Sequence, residues 1–108
     1  MKKTRLESMV RGWFVGNFEP VSYKTDAVEV GVKHYAAGDR DDRHYHKIAV
    51  ELTLVLSGQV VLNGQTYTAG DILEIEPGEV AEFAAVTDAV TVVVKLPSVA
   101  GDKYSLDS

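Results

Sequence analysis

Two histidines, His44 and His46, stand one residue apart in the stretch "HYHKIAVELTLVLSG" (44–58), and Glu51 follows in an apolar run that ends at Gly58. Imidazole and carboxylate are donors that divalent first-row metals accept. Two imidazoles and one carboxylate make up the facial set that holds non-haem iron(II) with positions left open for substrate and oxygen. The stretch is a metal site, the remnant of one that now hydrogen-bonds a ligand, or a strand with polar decoration. Spacing sets a condition on the first two. Side chains at i and i+2 share one face of a strand, so His44 and His46 can hold one ion together. Glu51 has the opposite parity, so it joins them only if "KIAV" (47–50) bends, bulges or changes strand.

The surrounding elements are predicted to be strands. Apolar residues recur with period two, and glycine-based turns interrupt them at close spacing. The predicted strands lie in 9–16, 27–35, 44–57, the "VVLNGQTYTAG" segment, 71–79, 80–86 and 89–96. Asn63-Gly64, between a valine-rich run and a Thr/Tyr-rich one, is a hairpin signal. Pro97 ends the last strand, because proline cannot donate to a ladder. No segment keeps a helical period beyond about a turn, so the chain is expected to be an all-β sandwich or barrel. At 108 residues it is expected to form a single domain over 1–108, with the first few residues and about 97–108 as terminal extensions.

Residues 38–58 read G-DRDDR-H-Y-H-KIAV-E-LTLVLS-G, which resembles the first signature motif of the cupin superfamily. Gly38, His44, His46, Glu51 and Gly58 occupy its fixed positions. The second cupin motif is matched only in part by "GDILEIEPGEVAEF": Gly70, Asp71, Pro77 and Gly78 keep its turn, and Ala81 stands where its histidine belongs. The resemblance implies a cupin-type β-barrel, a double-stranded β-helix or jelly roll, whose mouth holds a metal or small ligand. It also implies His44, His46 and Glu51 as metal ligands, with Fe, Mn, Ni, Zn or Co as the ion, and it makes a homodimer expected.

If Glu51 faces the interior, Thr53 and Val55 follow it, and Leu52, Leu54 and Leu56 point outward. An outward leucine row asks for cover from the N-terminal strands or a second subunit. The expected ligand pocket comprises Thr53, Glu79, Ala81, Glu82 and Phe83. Glu79 shares the face of Ala81, and Glu82 substitutes for the lost histidine if the register slips by one. His34 shares parity with Val28, Val30 and Val32 and is expected at the core or rim rather than as a fourth ligand. The "DRDDR" loop reads as a solvated connection, Lys95 as a snorkelling residue at a strand end, and "PSVAGDKYSLDS" as a surface tail that its tyrosine could tie down.

The net charge of −5 and pI near 5.1 argue against nucleic acid or an anionic membrane as partner. There is no cysteine, so thiolate sites and disulfides are excluded. No signal-peptide h-region or membrane-length apolar run is present, and a cytoplasmic protein is expected. Two functions compete. One is a metal-dependent oxygenase or isomerase acting on a small polar molecule. The other is a non-catalytic sugar or small-molecule binding module with a degenerate metal site.

Overall fold

Asn63 and Gly64 form the expected tight turn: both take positive φ, 51° and 80°, and Leu62 faces Gln65 across them. Two positive-φ residues in succession give a turn whose twist matches that of the flanking strands. The computed structural model describes residues 1–106. Their strands are β1 (Trp13–Gly16), β2 (Tyr23–Lys24), β3 (Glu29–Tyr35), β4 (His44–Tyr45), β5 (Val50–Ser57), β6 (Gln59–Leu62), β7 (Gln65–Thr68), β8 (Ile72–Ile75), β9 (Phe83–Ala85), β10 (Ala89–Leu96) and β11 (Tyr104–Ser105), preceded by a 3-10 turn at Leu6–Ser8. Among the described residues no helix is long and apolar enough to cross a membrane.

A six-stranded sheet runs β2-β1-β3-β10-β5-β8, a three-stranded sheet runs β7-β6-β9, and β11 pairs with β4. All pairings are antiparallel except β1 with β2. Chain passes from the large sheet to the small one at Gly58, between β5 and β6. Its φ of 85° is left-handed, and a Cβ there would strike the backbone oxygen of Asp88. Only glycine meets both demands. Gly38 also has positive φ but open space around it, so its requirement is conformational alone.

Inward residues change character along the barrel. Val55, Val60, Phe83, Ala85 and Ala89 form a packed cluster, with Tyr35, Leu62 and Tyr67 against it. Val55 and Val60 are fully buried, each contributing roughly 1.5–3 kcal/mol by removal from water. Moving along β5 and β10 from this cluster, the inward positions become Thr53 and Glu51 on one strand and Thr91, Val93 and Lys95 on the other. Here the interior is a cavity of about 580 Å³ rather than packed core.

That cavity reverses the expectation for β3. Glu29 and Gly31 are buried, and Glu29, Lys33 and Tyr35 line the cavity, whereas His34 is exposed on the valine face. The valines look like the core row because apolar residues usually are. Here they form the outer face of the sheet, and the polar row faces a cavity that tolerates it. Trp13 pairs with Gly31, and a Cβ on Gly31 would lie 2.7 Å from the indole. The missing side chain lets the indole lie across β3 at the cavity wall.

The C-terminal segment is not a loose tail. Tyr104 and Ser105 pair with Tyr45 and His44, Tyr104 stacks on Tyr45 at 5.4 Å, and Ser98 and Asp102 are buried. The tyrosine ties the segment down, as its position allowed, while residues 107–108 lie outside the described residues.

Candidate metal centre

The bend required between His46 and Glu51 exists, and a distant residue makes it. The Asp102 carboxylate accepts backbone N–H groups of Lys47 (2.9 Å), Ile48 (3.2 Å) and Ala49 (2.9 Å). Three successive donors turned toward one carboxylate cannot belong to an extended strand. The chain turns, β5 restarts at Val50, and Glu51 comes round to the histidine face. Burial alone would raise the Asp102 pKa; the three N–H groups outweigh it and hold the carboxyl below its usual range.

A second clamp comes from the partial motif. The Pro77-Gly78 turn directs the Gly78 N–H onto the His46 carbonyl at 2.6 Å. Ala81 and His44 exchange both backbone hydrogen bonds, at 2.8 and 3.1 Å. Ala81 therefore lies directly opposite His44, buried and lining the cavity. This is where a fourth ligand would project, and a methyl group occupies it.

His44, His46 and Glu51 each bring one donor atom into a group no wider than 4.8 Å. Facial donors bonded to one ion at about 2.1 Å would lie about 3 Å apart, so a small closure of side chains completes the set. His44 Nδ1 donates to the Asp42 carbonyl at 2.8 Å. A carbonyl only accepts, so in the neutral ring the proton is on Nδ1 and Nε2 keeps its lone pair. Burial, helped by the charge of Lys95 and by His44, pushes the His46 pKa down to about 4. Its ring is neutral at physiological pH, the form a metal accepts. Thr53 donates its hydroxyl to Glu51 Oε2 at 2.9 Å and orients the carboxylate. The donor chemistry and its supports fit a divalent ion.

Of the expected pocket residues, Thr53, Ala81 and Phe83 line the cavity. Glu79 and Glu82 do not. Both are exposed, with Glu79 Oε1 accepting the Glu76 N–H and the Glu82 N–H bonded to Asn63. Neither compensates for the missing histidine: Glu82 keeps the outward parity set by Phe83, and Glu79 belongs to the turn.

Several cavity residues escape a sequence reading. Lys95 is no snorkelling end residue; its ammonium lies 3.6 Å from Glu29, with both side chains largely buried. Ser98 donates to the other Glu29 oxygen at 3.1 Å, and its hydroxyl oxygen accepts the Asn17 N–H. Tyr35 donates to Asp41 at 3.3 Å, and burial followed by the Asp41 charge raises its pKa well above the ordinary phenol value. The fully buried Thr91 hydroxyl lies beside that of Tyr35. The available signal was charge on alternate positions of two valine-rich strands, which reads equally well as a solvent face.

No protein-family model matches the chain, and no curated protein matches it. Solved structures do. An uncharacterized conserved protein with a double-stranded β-helix domain from Klebsiella pneumoniae superposes with a TM-score of 0.70 at 26% identity, over 78% of this chain and 74% of that one. The chain has the double-stranded β-helix fold. A sugar phosphate isomerase from a cupin superfamily, from Silicibacter pomeroyi, matches with a TM-score of 0.65 at 23% identity, over 76% of this chain and 58% of its own. The DMSP lyase from Ruegeria pomeroyi matches at 0.72 and 16% identity over 87% of this chain, which spans about half of the lyase, 49%. At these identities the last two show shared fold alone.

Proposed function

We propose that this protein binds one divalent metal on His44, His46 and Glu51 and acts on a small polar molecule held in the cavity beside it, as a metal-dependent oxygenase or isomerase. The convergence of three donors within 4.8 Å, after a bend whose effect is to turn Glu51 inward, carries this reading. Bound metal would supply Lewis acidity, polarising a substrate oxygen. The protein's own part is positioning. Asp42 fixes the His44 tautomer, and Thr53 orients Glu51. Its similarity in fold to a lyase and an isomerase supports an enzyme of small molecules.

One observation favours a second reading, a binding module with a degenerate site: Ala81 fills the fourth position with a methyl group. Metal analysis of purified protein separates the two. About one equivalent of metal, lost in a His44→Ala/His46→Ala variant, is expected. No metal after supplementation with Fe, Mn, Ni and Zn would leave the binding module.

We also propose a homodimer formed through the outer face of the six-stranded sheet. Val32, Val92, Leu54 and Ile72 stand side by side across four strands, and Val30, Val94 and Leu52 make a parallel row. Ile72 is 68% exposed and Leu56 56%. A contiguous apolar row of this kind asks for cover. Sedimentation at micromolar concentration should give a dimer that Leu54→Asp converts to monomer or aggregate. A wild-type monomer would count against the interface.

A further inference from the structure

Charged and apolar residues divide the cavity between two walls. Every charged side chain lining it comes from 11–51 or 95–103. Between 54 and 90 the lining is Leu62, Leu73, Ile75, Ala81 and Phe83, hydrocarbon alone. Strand register joins these five into one surface. Leu62 lies opposite Phe83, and Ala81 precedes Phe83 by two residues on the same face. Leu73 and Ile75 stand together on β8, opposite Thr53 and Glu51. All five keep accessible surface, between 6% and 8% for Ile75, Ala81 and Phe83 and more for Leu62 and Leu73, whereas the packed Val55 and Val60 keep none.

The triad stands on the seam between the walls. Glu51 has Lys95 opposite it on one neighbouring strand and Ile75 on the other, and His44 has Ala81. The polar wall is engaged with itself. Lys95 pairs with Glu29, Lys33 donates to the Arg11 carbonyl at 2.9 Å, and Tyr35 donates to Asp41. Its five carboxylates (Glu19, Glu29, Asp41, Glu51 and Asp102) nearly balance its four cations (Arg11, Lys33, Lys95 and Lys103), so it favours neither sign of ligand charge. The apolar wall satisfies nothing internally. Hydrocarbon laid on it is favoured in proportion to the area taken from water. Pockets that select small molecules combine such a wall with a few placed polar groups, and here those groups are the triad.

From this arrangement we propose that the molecule acted on is amphipathic, with a compact apolar group packed on Leu62, Leu73, Ile75, Ala81 and Phe83 while its donor oxygens meet the triad. The proposal rests on the metal reading of the triad and deepens it by naming the substrate class, a metal-chelating molecule with a ring or branched hydrocarbon beside its donor oxygens. It also gives Ala81 a use. A histidine there would add a donor and fill the space, whereas a methyl group leaves room for hydrocarbon next to His44.

Cobalt(II)-loaded protein should be titrated with acetohydroxamate and with benzohydroxamate, the visible spectrum of the cobalt serving as readout. Both chelate through the same two oxygens, so their difference in affinity reports what the carbon end touches. Benzohydroxamate should bind at least about tenfold tighter, the effect of burying a ring in place of a methyl group. Leu73→Ala should cut that preference several-fold, and Ala81→Leu, which fills the space, should abolish it. Acetohydroxamate affinity should stay within about twofold of wild type in both variants. Where Ala81→Leu does not hold cobalt, Leu73→Ala decides. Equal affinity for the two hydroxamates in wild type, or a preference unchanged in Leu73→Ala, overturns the apolar subsite. Cobalt that responds equally to both probes sinks that subsite alone and leaves the metal reading standing. Wild-type protein that takes up no cobalt overturns the metal reading, and the subsite with it.

Discussion

Asp102→Ala should lower unfolding stability by about 4 kcal/mol, the largest loss expected from one side chain outside the triad. Its carboxylate accepts the N–H groups of Lys47, Ile48 and Ala49, and Ala49 is only 2% exposed. Removing the acceptor strands donors at roughly 1–3 kcal/mol each, less where water reaches them. Against a total on the order of 5–15 kcal/mol, this corresponds to a fall in Tm on the order of 20 °C. The same change should weaken metal binding by roughly 10–100-fold, as loss of a ligand-orienting group does, because the turn that faces Glu51 inward loses its anchor. Asp102→Asn keeps the shape and part of the accepting capacity, so its loss should be about half as large.

Acid separates the charge from the shape. Asp102 is held below its ordinary value of 3.8 in the folded protein. The unfolded chain therefore takes up its proton first as pH falls. The stabilising contribution is complete above the unfolded pKa and disappears as pH drops through the folded one. Denaturation curves of wild type and Asp102→Asn should differ at neutral pH and converge in acid. An Asp102→Ala protein within about 1 kcal/mol of wild type at neutral pH would show that the turn holds without its cap.

How far the sequence foretold this site depends on the range of each interaction. The shared face of His44 and His46, the inward Thr53 and Val55 and the Asn63-Gly64 turn follow from local spacing, and the fold agrees with them. Parity also demanded a bend in "KIAV". It could not name the residue that makes it, because Asp102 lies 53 positions from Ala49 and caps nothing nearby. The inverted face of β3 has a related cause. Period two divides a strand into two rows but does not say which one is inside. The ordinary rule sends valines inward; a barrel with a polar cavity sends Glu29, Lys33 and Tyr35 there instead. Once β3 is reversed, the lysine at 95 becomes legible, because the ladder sets it between Glu29 on one neighbour and Glu51 on the other.

That position makes Lys95→Met the second large effect. It leaves Glu29, 8% exposed, with Ser98 as its one remaining side-chain partner. Breaking a buried pair from one side typically costs about 3–5 kcal/mol, and partial solvent contact places this one near the lower end. Removing both charges is a different experiment. In Glu29→Gln/Lys95→Met no bare carboxylate remains, and the amide still accepts from Ser98, so stability should return to within about 1 kcal/mol of wild type. The expected coupling energy between the two sites is then about 2 kcal/mol or more. Urea denaturation of the four proteins measures it directly. Additive losses in the double variant would mean that the ion pair is solvated and that Glu29 tolerates the cavity unaided. A rescue would show instead that Lys95 neutralises a carboxylate the barrel interior cannot otherwise hold.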